Sequence, residues 1–158
     1  MSSESGTTLV LGIGNPLRGD DGFGPIVIEW LREHDLPPGV VAQDEGTPGL
    51  DLVMLWTNYR RVIIVDAADI GRAPGDWSRI VPNIDRLKQI ASSNDSVTLH
   101  QAGLSDALKL SAALGTLPDE LIILGIQPAR LDWSSGLSAE LQAAVSTVGG
   151  AVLREIGG

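Results

Sequence analysis

Short, uninterrupted apolar runs alternate along this chain with stretches of helical spacing. The clearest run is Arg61-Val62-Ile63-Ile64-Val65-Asp66, a β-branched stretch of the kind that forms a strand covered on both faces. Thr8–Ile13 and Leu121–Ile126 read the same way. Gly39–Gln43 predicts a short second strand, Trp77–Val81 an edge strand after the Gly/Pro-containing loop 71–76, and Val97–Leu99 a short strand leading into His100. Helices are predicted at Pro25–Glu33, Asp51–Trp56 and Leu104–Leu114, the last ending at Gly115. A closing helix is predicted at Ala139–Ile156, weakened inside by Gly149-Gly150. Strands alternating with helices predict stacked βαβ units: an α/β fold, three layers deep, with a mostly parallel sheet between helices. No repeat, low-complexity stretch or linker divides it, so residues 1–158 are expected to form a single domain.

Composition narrows the functions open to such a domain. A chain of 158 residues can bury roughly 70 % of its unfolded surface. A net charge of −9, with Arg60-Arg61 the only adjacent basic pair, lacks the Lys/Arg stripe of a nucleic-acid surface. The absence of cysteine removes disulfides, thiolate nucleophiles and Cys-ligated zinc or iron–sulfur centres together. Only His34 and His100 are available for histidine chemistry. No apolar run reaches the roughly 18–20 residues that span a bilayer. Met1–Thr8 is polar without the basic start of a secretory signal, so a cytoplasmic protein without membrane contact is expected. No feature demands an oligomer, and a monomer is expected.

Candidate chemistry clusters where polar residues directly follow apolar strands. The segment Gly12-Ile13-Gly14-Asn15-Pro16-Leu17-Arg18-Gly19-Asp20-Asp21-Gly22-Phe23-Gly24 joins the first strand to the first helix and carries two adjacent acids. Asp66 ends the strand 61–66, and His100 ends the short strand before it. In a parallel sheet these strand ends share one edge, where open α/β sheets place ligands. Two carboxylates about 4 Å apart repel by about 4 kcal/mol at an effective dielectric near 20. Such a pair either shares a proton or recruits a cation, and an Asp/Asp/His set suits zinc, nickel, iron or manganese. Structural readings stand beside this one. Asp20 or Asp21 can cap the helix starting near Gly24-Pro25, Asp66 can satisfy loop amides, and His100 can be a hydrogen-bonded structural histidine. His34, at a helix C-terminus, meets the dipole favourably and is read as structural.

Other motifs are weaker. Gly12-x-Gly14 lacks the third glycine of a dinucleotide fingerprint, and no Gly-Lys-Ser/Thr follows the first strand. His100 and Ser105 come without a nucleophile elbow, and His-Glu-x-x-His is absent. A nucleotide-binding enzyme and a metal-independent acid protease built on Asp20, Asp21 and Asp66 stay open as rivals.

The combination is more specific. The segment 12–24 closely resembles the opening motif of the nickel–iron hydrogenase maturation endopeptidases. Asp44-Glu45-Gly46-Thr47-Pro48-Gly49, Val65-Asp66-Ala67 and His100-Gln101-Ala102-Gly103-Leu104-Ser105 follow in family order. Gly125-Ile126-Gln127-Pro128 and Gly136-Leu137-Ser138 complete the pattern. The resemblance implies a twisted five-stranded sheet between helices. Its implied function is an aspartyl-type endopeptidase that removes a C-terminal extension from a hydrogenase large-subunit precursor once nickel is installed. Carried over by position, Asp21, Asp66 and His100 become the metal-engaging and catalytic set, and the nickel is carried by the substrate, with no tightly bound cofactor of the protein's own. Asp21 stands where the family often has Glu, one methylene longer. Asp20 matches a neighbouring acidic position, and Gln127 stands where many relatives carry Glu. Gly46 and Thr47 are the candidates for holding the extended tail. A nickel-dependent docking or checkpoint protein that binds the precursor without cutting would use the same trio.

Overall fold

A computed structural model describes residues 7–46, 50–83, 85 and 102–157. The elements run β1 (Thr8–Ile13), a 3₁₀ turn (Gly19–Gly22), α1 (Phe23–Arg32), β2 (Val40–Glu45), α2 (Leu50–Trp56), β3 (Arg61–Ala67), β4 (Trp77–Ile80), α3 (Ala102–Leu114), β5 (Glu120–Ile126) and α4 (Ala139–Gly157). Among the described residues five strands form one sheet in the order β2-β1-β3-β5-β4. All neighbours are parallel except β4, which runs antiparallel to β5. The predicted strand Val97–Leu99 lies outside the described residues.

Strand alternation sorts the core into two layers. Val10, Ile63, Val65, Ile122 and Leu124 pack with α1 and α4, on Val27, Ile28, Leu31, Leu141, Val145, Val148 and Val152. Leu9, Leu11, Ile13, Val62, Ile64, Leu121 and Ile123 pack on the opposite face with α2 and α3, on Leu52, Trp56, Leu104 and Leu108. Burial on both faces is why the three central strands read as unbroken apolar runs.

Polar contacts close each layer. The indole of Trp56 donates to the Ser111 hydroxyl (2.9 Å), which also meets Thr116 (2.8 Å), joining α2 to α3 inside the core. Between α1 and α4, the expected weak point Gly149 is instead a contact. A Cβ built there would lie 2.3 Å from Cε3 of Trp30, so the missing side chain admits the indole. His34 follows α1 and sits 2.7 Å from the Trp30 carbonyl through Nδ1, in line with its structural reading. Far from the site, Glu155 of α4 bonds Arg79 of β4 and lies 3.4 Å from Arg61 of β3. The Arg79 hydrogen bond is the main cause that holds its carboxyl below the usual range, with attraction to Arg79, Arg61 and Arg154 opposing a burial cost.

The topology positions the site. From β1 the chain moves outward to β2, then crosses back to add β3 on the other side of β1. The carboxyl ends of β1 and β3 therefore flank a switch point, the crevice where doubly wound sheets bind ligands.

A candidate active site at the switch point

β1 ends at Ile13, directly opposite Asp66 of β3. Beyond it the chain must reverse within a few residues to start α1 over the same strands. Gly14 makes this possible. Its φ is +141°, and a Cβ there would fall 1.8 Å from the Asp21 carbonyl oxygen. The Gly14 amide is donated to the carbonyls of Glu45 and Gly46, each at 3.2 Å, which draws the end of β2 against the turn. Asn15 then receives the Leu17 amide on its side chain (2.9 Å) and the Arg18 amide on its carbonyl (3.0 Å), an Asx turn of the type that competes with regular structure. Gly24 completes the device by close approach. A Cβ there would be 2.5 Å from the Val65 carbonyl oxygen and 2.6 Å from Ile13 backbone atoms, so α1 starts pressed onto β1 and β3.

The two adjacent acids of the turn have different surroundings. Neither caps α1, whose N-cap is Gly22 with no side-chain cap bond; the capping reading is corrected because the tight turn points both carboxylates elsewhere. Asp20 is fully buried and serves as an anchor. Its Oδ2 accepts the amides of Ala129 (2.7 Å) and Arg130 (3.0 Å) and the Ser138 hydroxyl (2.9 Å), while Oδ1 accepts the Ser138 amide (2.7 Å). Burial alone would raise its pKa and is the largest single influence. The amides of Ser138, Ala129 and Arg130, with the Ser138 hydroxyl, together outweigh it and hold the carboxyl below the ordinary range. Asp20 stays ionised to fasten loop 127–138 to the turn.

Asp21 is also buried, and its Oδ2 accepts the Asn15 amide at 2.9 Å. Asp66, 1 % exposed, is the penultimate residue of β3, opposite Ile13 and Gly125. It shares parity with Val62 and Ile64, whose side chains face α2 and α3. The structure thus brings Asp21 and Asp66 to one sheet edge, as expected. His100 and Thr47 lie outside the described residues. Gly46 is exposed and is tied to the Asp21 turn through its carbonyl. Among the described residues no three metal-capable side chains form a cluster.

Two further residues of the same edge have roles that sequence reasoning did not assign. Gln127 accepts the amides of Ile70 (2.8 Å) and Arg72 (3.3 Å) on Oε1. Its own amide is donated to the Asp76 carbonyl (2.8 Å), and its carbonyl accepts the Gly75 amide (2.9 Å). It pins the loop that follows Asp66. Ser138, within the motif Gly136-Leu137-Ser138, is the far anchor of Asp20. The motif signalled its position, but a partner so far away in sequence cannot be read from the motif.

A doubly wound sheet with buried carboxylates at its switch point defines an α/β protein of the kind that places its ligands in this crevice. The chain belongs to the hydrogenase maturation protease family, whose family model matches residues 25–155. It is 39 % identical over 133 residues to the hydrogenase expression/formation protein HupM of Azotobacter chroococcum, covering 84 % of this chain and 62 % of that one. The chain therefore spans less than two thirds of that relative's length. Its fold matches the crystal structure of a hydrogenase 2 maturation peptidase from a Thaumarchaeota archaeon, with TM-score 0.75 and 36 % identity over 96 % of this chain and 98 % of that chain. It also matches the hydrogenase maturating endopeptidase HybD of Escherichia coli, with TM-score 0.80 and 29 % identity over 95 % and 91 % of the two chains.

Proposed function

We propose that this protein is an endopeptidase that removes the C-terminal extension of a nickel–iron hydrogenase large-subunit precursor after nickel insertion. The observation that carries this reading is the division of labour at the switch point. Asp20 is consumed in four hydrogen bonds to loop 127–138, while Asp21 in the turn and Asp66 near the end of β3 are buried acids at the same sheet edge. Family membership supplies the reaction class.

In this reading the nickel belongs to the substrate. Asp21, Asp66 and His100 engage it in the immature hydrogenase site and so bring the scissile bond beside them. Tenfold preference for the loaded precursor needs only about 1.4 kcal/mol of differential binding, which one good ligand contact supplies. The exposed Gly46 segment lies beside the same turn, where an extended tail can run. Water is the nucleophile, activated either by the metal or by a carboxylate acting as base. No resident cofactor is required, and the enzyme works as a cytoplasmic monomer that meets its substrate transiently.

The test is processing of the precursor by Asp21→Asn, Asp66→Asn and His100→Ala. Each variant should lose cleavage while keeping the fold intact. Full activity in any two of them would remove the ligand assignment.

A further inference from the structure

Beside the site the molecule exposes an aromatic and a cation that the reaction does not use. Trp133 is 76 % exposed and Leu17 is 64 % exposed. Arg18, next to Leu17 in the chain, holds its guanidinium 5.5 Å from the centre of the Trp133 ring. One of its nitrogens, Nη2, donates to the Leu131 carbonyl at 3.2 Å. Nε is buried without an acceptor among the described residues, and none of the ion pairs between described residues involves Arg18. In a chain of net charge −9, this is a cation held in place with its charge unspent.

The patch is joined firmly to the site. Leu17 and Arg18 belong to the turn that carries Asp21, and Trp133 belongs to the loop that Asp20 fastens to that turn. The Gly19 amide adds a bond to the Ser134 carbonyl at 2.7 Å. Whatever binds here is registered against Asp21 and Asp66. Trp and Arg are among the residues most enriched in binding hot spots.

We propose that Trp133, Arg18 and Leu17 form the surface on which the precursor docks, through a segment that lays a bulky apolar side chain on Trp133 and Leu17 and an acidic side chain on Arg18. The proposal rests on the peptidase reading for the identity of the partner. An acidic group is the complement because no ion pair between described residues involves Arg18, and planar carboxylates match the guanidinium fork. The docked body of the precursor then delivers its tail to the switch point.

The experiment measures affinity of the nickel-loaded precursor for wild type, Trp133→Ala and Arg18→Gln, together with cleavage by intact mass. Each variant should bind at least fivefold more weakly, and cleavage at saturating precursor should match wild type. Arg18→Gln should also flatten the salt dependence of binding. Since Trp133 is exposed, its variant should keep the wild-type unfolding midpoint. A smaller loss of affinity in Trp133→Ala overturns the docking surface. So does self-association of wild type that Trp133→Ala abolishes, which would make the patch a dimer interface. Binding that depends on Trp133 without any cleavage by wild type would leave the docking surface standing and defeat the peptidase reading.

Discussion

Asp20 and Ser138, 118 positions apart, are joined by two hydrogen bonds, from the Ser138 amide to Oδ1 at 2.7 Å and from its hydroxyl to Oδ2 at 2.9 Å. That pairing makes loop 127–138 part of the site. Asp20→Asn offers one carbonyl oxygen where four donors now converge, and turns an NH₂ toward some of them. The expected loss is about 2–4 kcal/mol of stability, from unsatisfied donors and the lost charge. Ser138→Ala removes only the hydroxyl bond and should cost about 1 kcal/mol. Chemical denaturation of both variants checks the order, and equal losses would show that the hydroxyl, not the amides, carries the clamp.

Acid should dissolve this clamp and the distant Glu155 network together. Both carboxyls have folded pKa values below the ordinary ones, so the folded chain holds fewer protons on them than the unfolded chain. Their stabilisation is complete above the unfolded values of about 3.9 for Asp and 4.3 for Glu, and is lost as pH falls through the lower folded values. The stability gap between wild type and Asp20→Asn should therefore be constant from pH 7 to pH 5 and narrow below about pH 4. Thermal unfolding across that range is the measurement. A gap that widened in acid would mean that Asp20 is protonated in the folded protein.

Gly149 gives a prediction opposite to helix propensity. Alanine in a helix interior gains about 1 kcal/mol over glycine, so Gly149→Ala in an isolated α4 would stabilise. Here the new methyl meets the Trp30 ring at 2.3 Å, and the ring sits between α1, α4 and His34 at a centroid distance of 3.9 Å. Overpacking of this kind costs about 1–3 kcal/mol, and the net change should be destabilising. A raised melting temperature would show that Trp30 can turn away.

The sheet and its order of elements were legible because burial leaves an unbroken apolar signature in β1, β3 and β5. Edges were less so. The strand predicted at Gly39–Gln43 runs instead from Val40 to Glu45, since Asp44 and Glu45 pair with Gly12 and Ile13 although neither reads as a strand residue. Trp77–Val81 was expected as an edge strand and the strand runs Trp77–Ile80, but its antiparallel direction leaves no trace in composition. At the site, Asp21 and Asp66 were visible as acids at strand ends. The separate tasks of Asp20 and Asp21 were not, because identical neighbours are distinguished only by where a tight turn aims them. Gln127 likewise looked like a departure from the family's acid, whereas its amide oxygen holds the Ile70 and Arg72 amides, an acceptor role that needs no charge.

The central claim is a metal-gated cut, and intact mass spectrometry addresses it most directly. A hydrogenase large-subunit precursor from the same cell would be incubated with this protein, with and without nickel. The account predicts loss of a C-terminal peptide from the nickel-loaded precursor alone. Equal cleavage of both forms would contradict nickel recognition, and an unchanged mass with verified, loaded cognate precursor would contradict the peptidase itself.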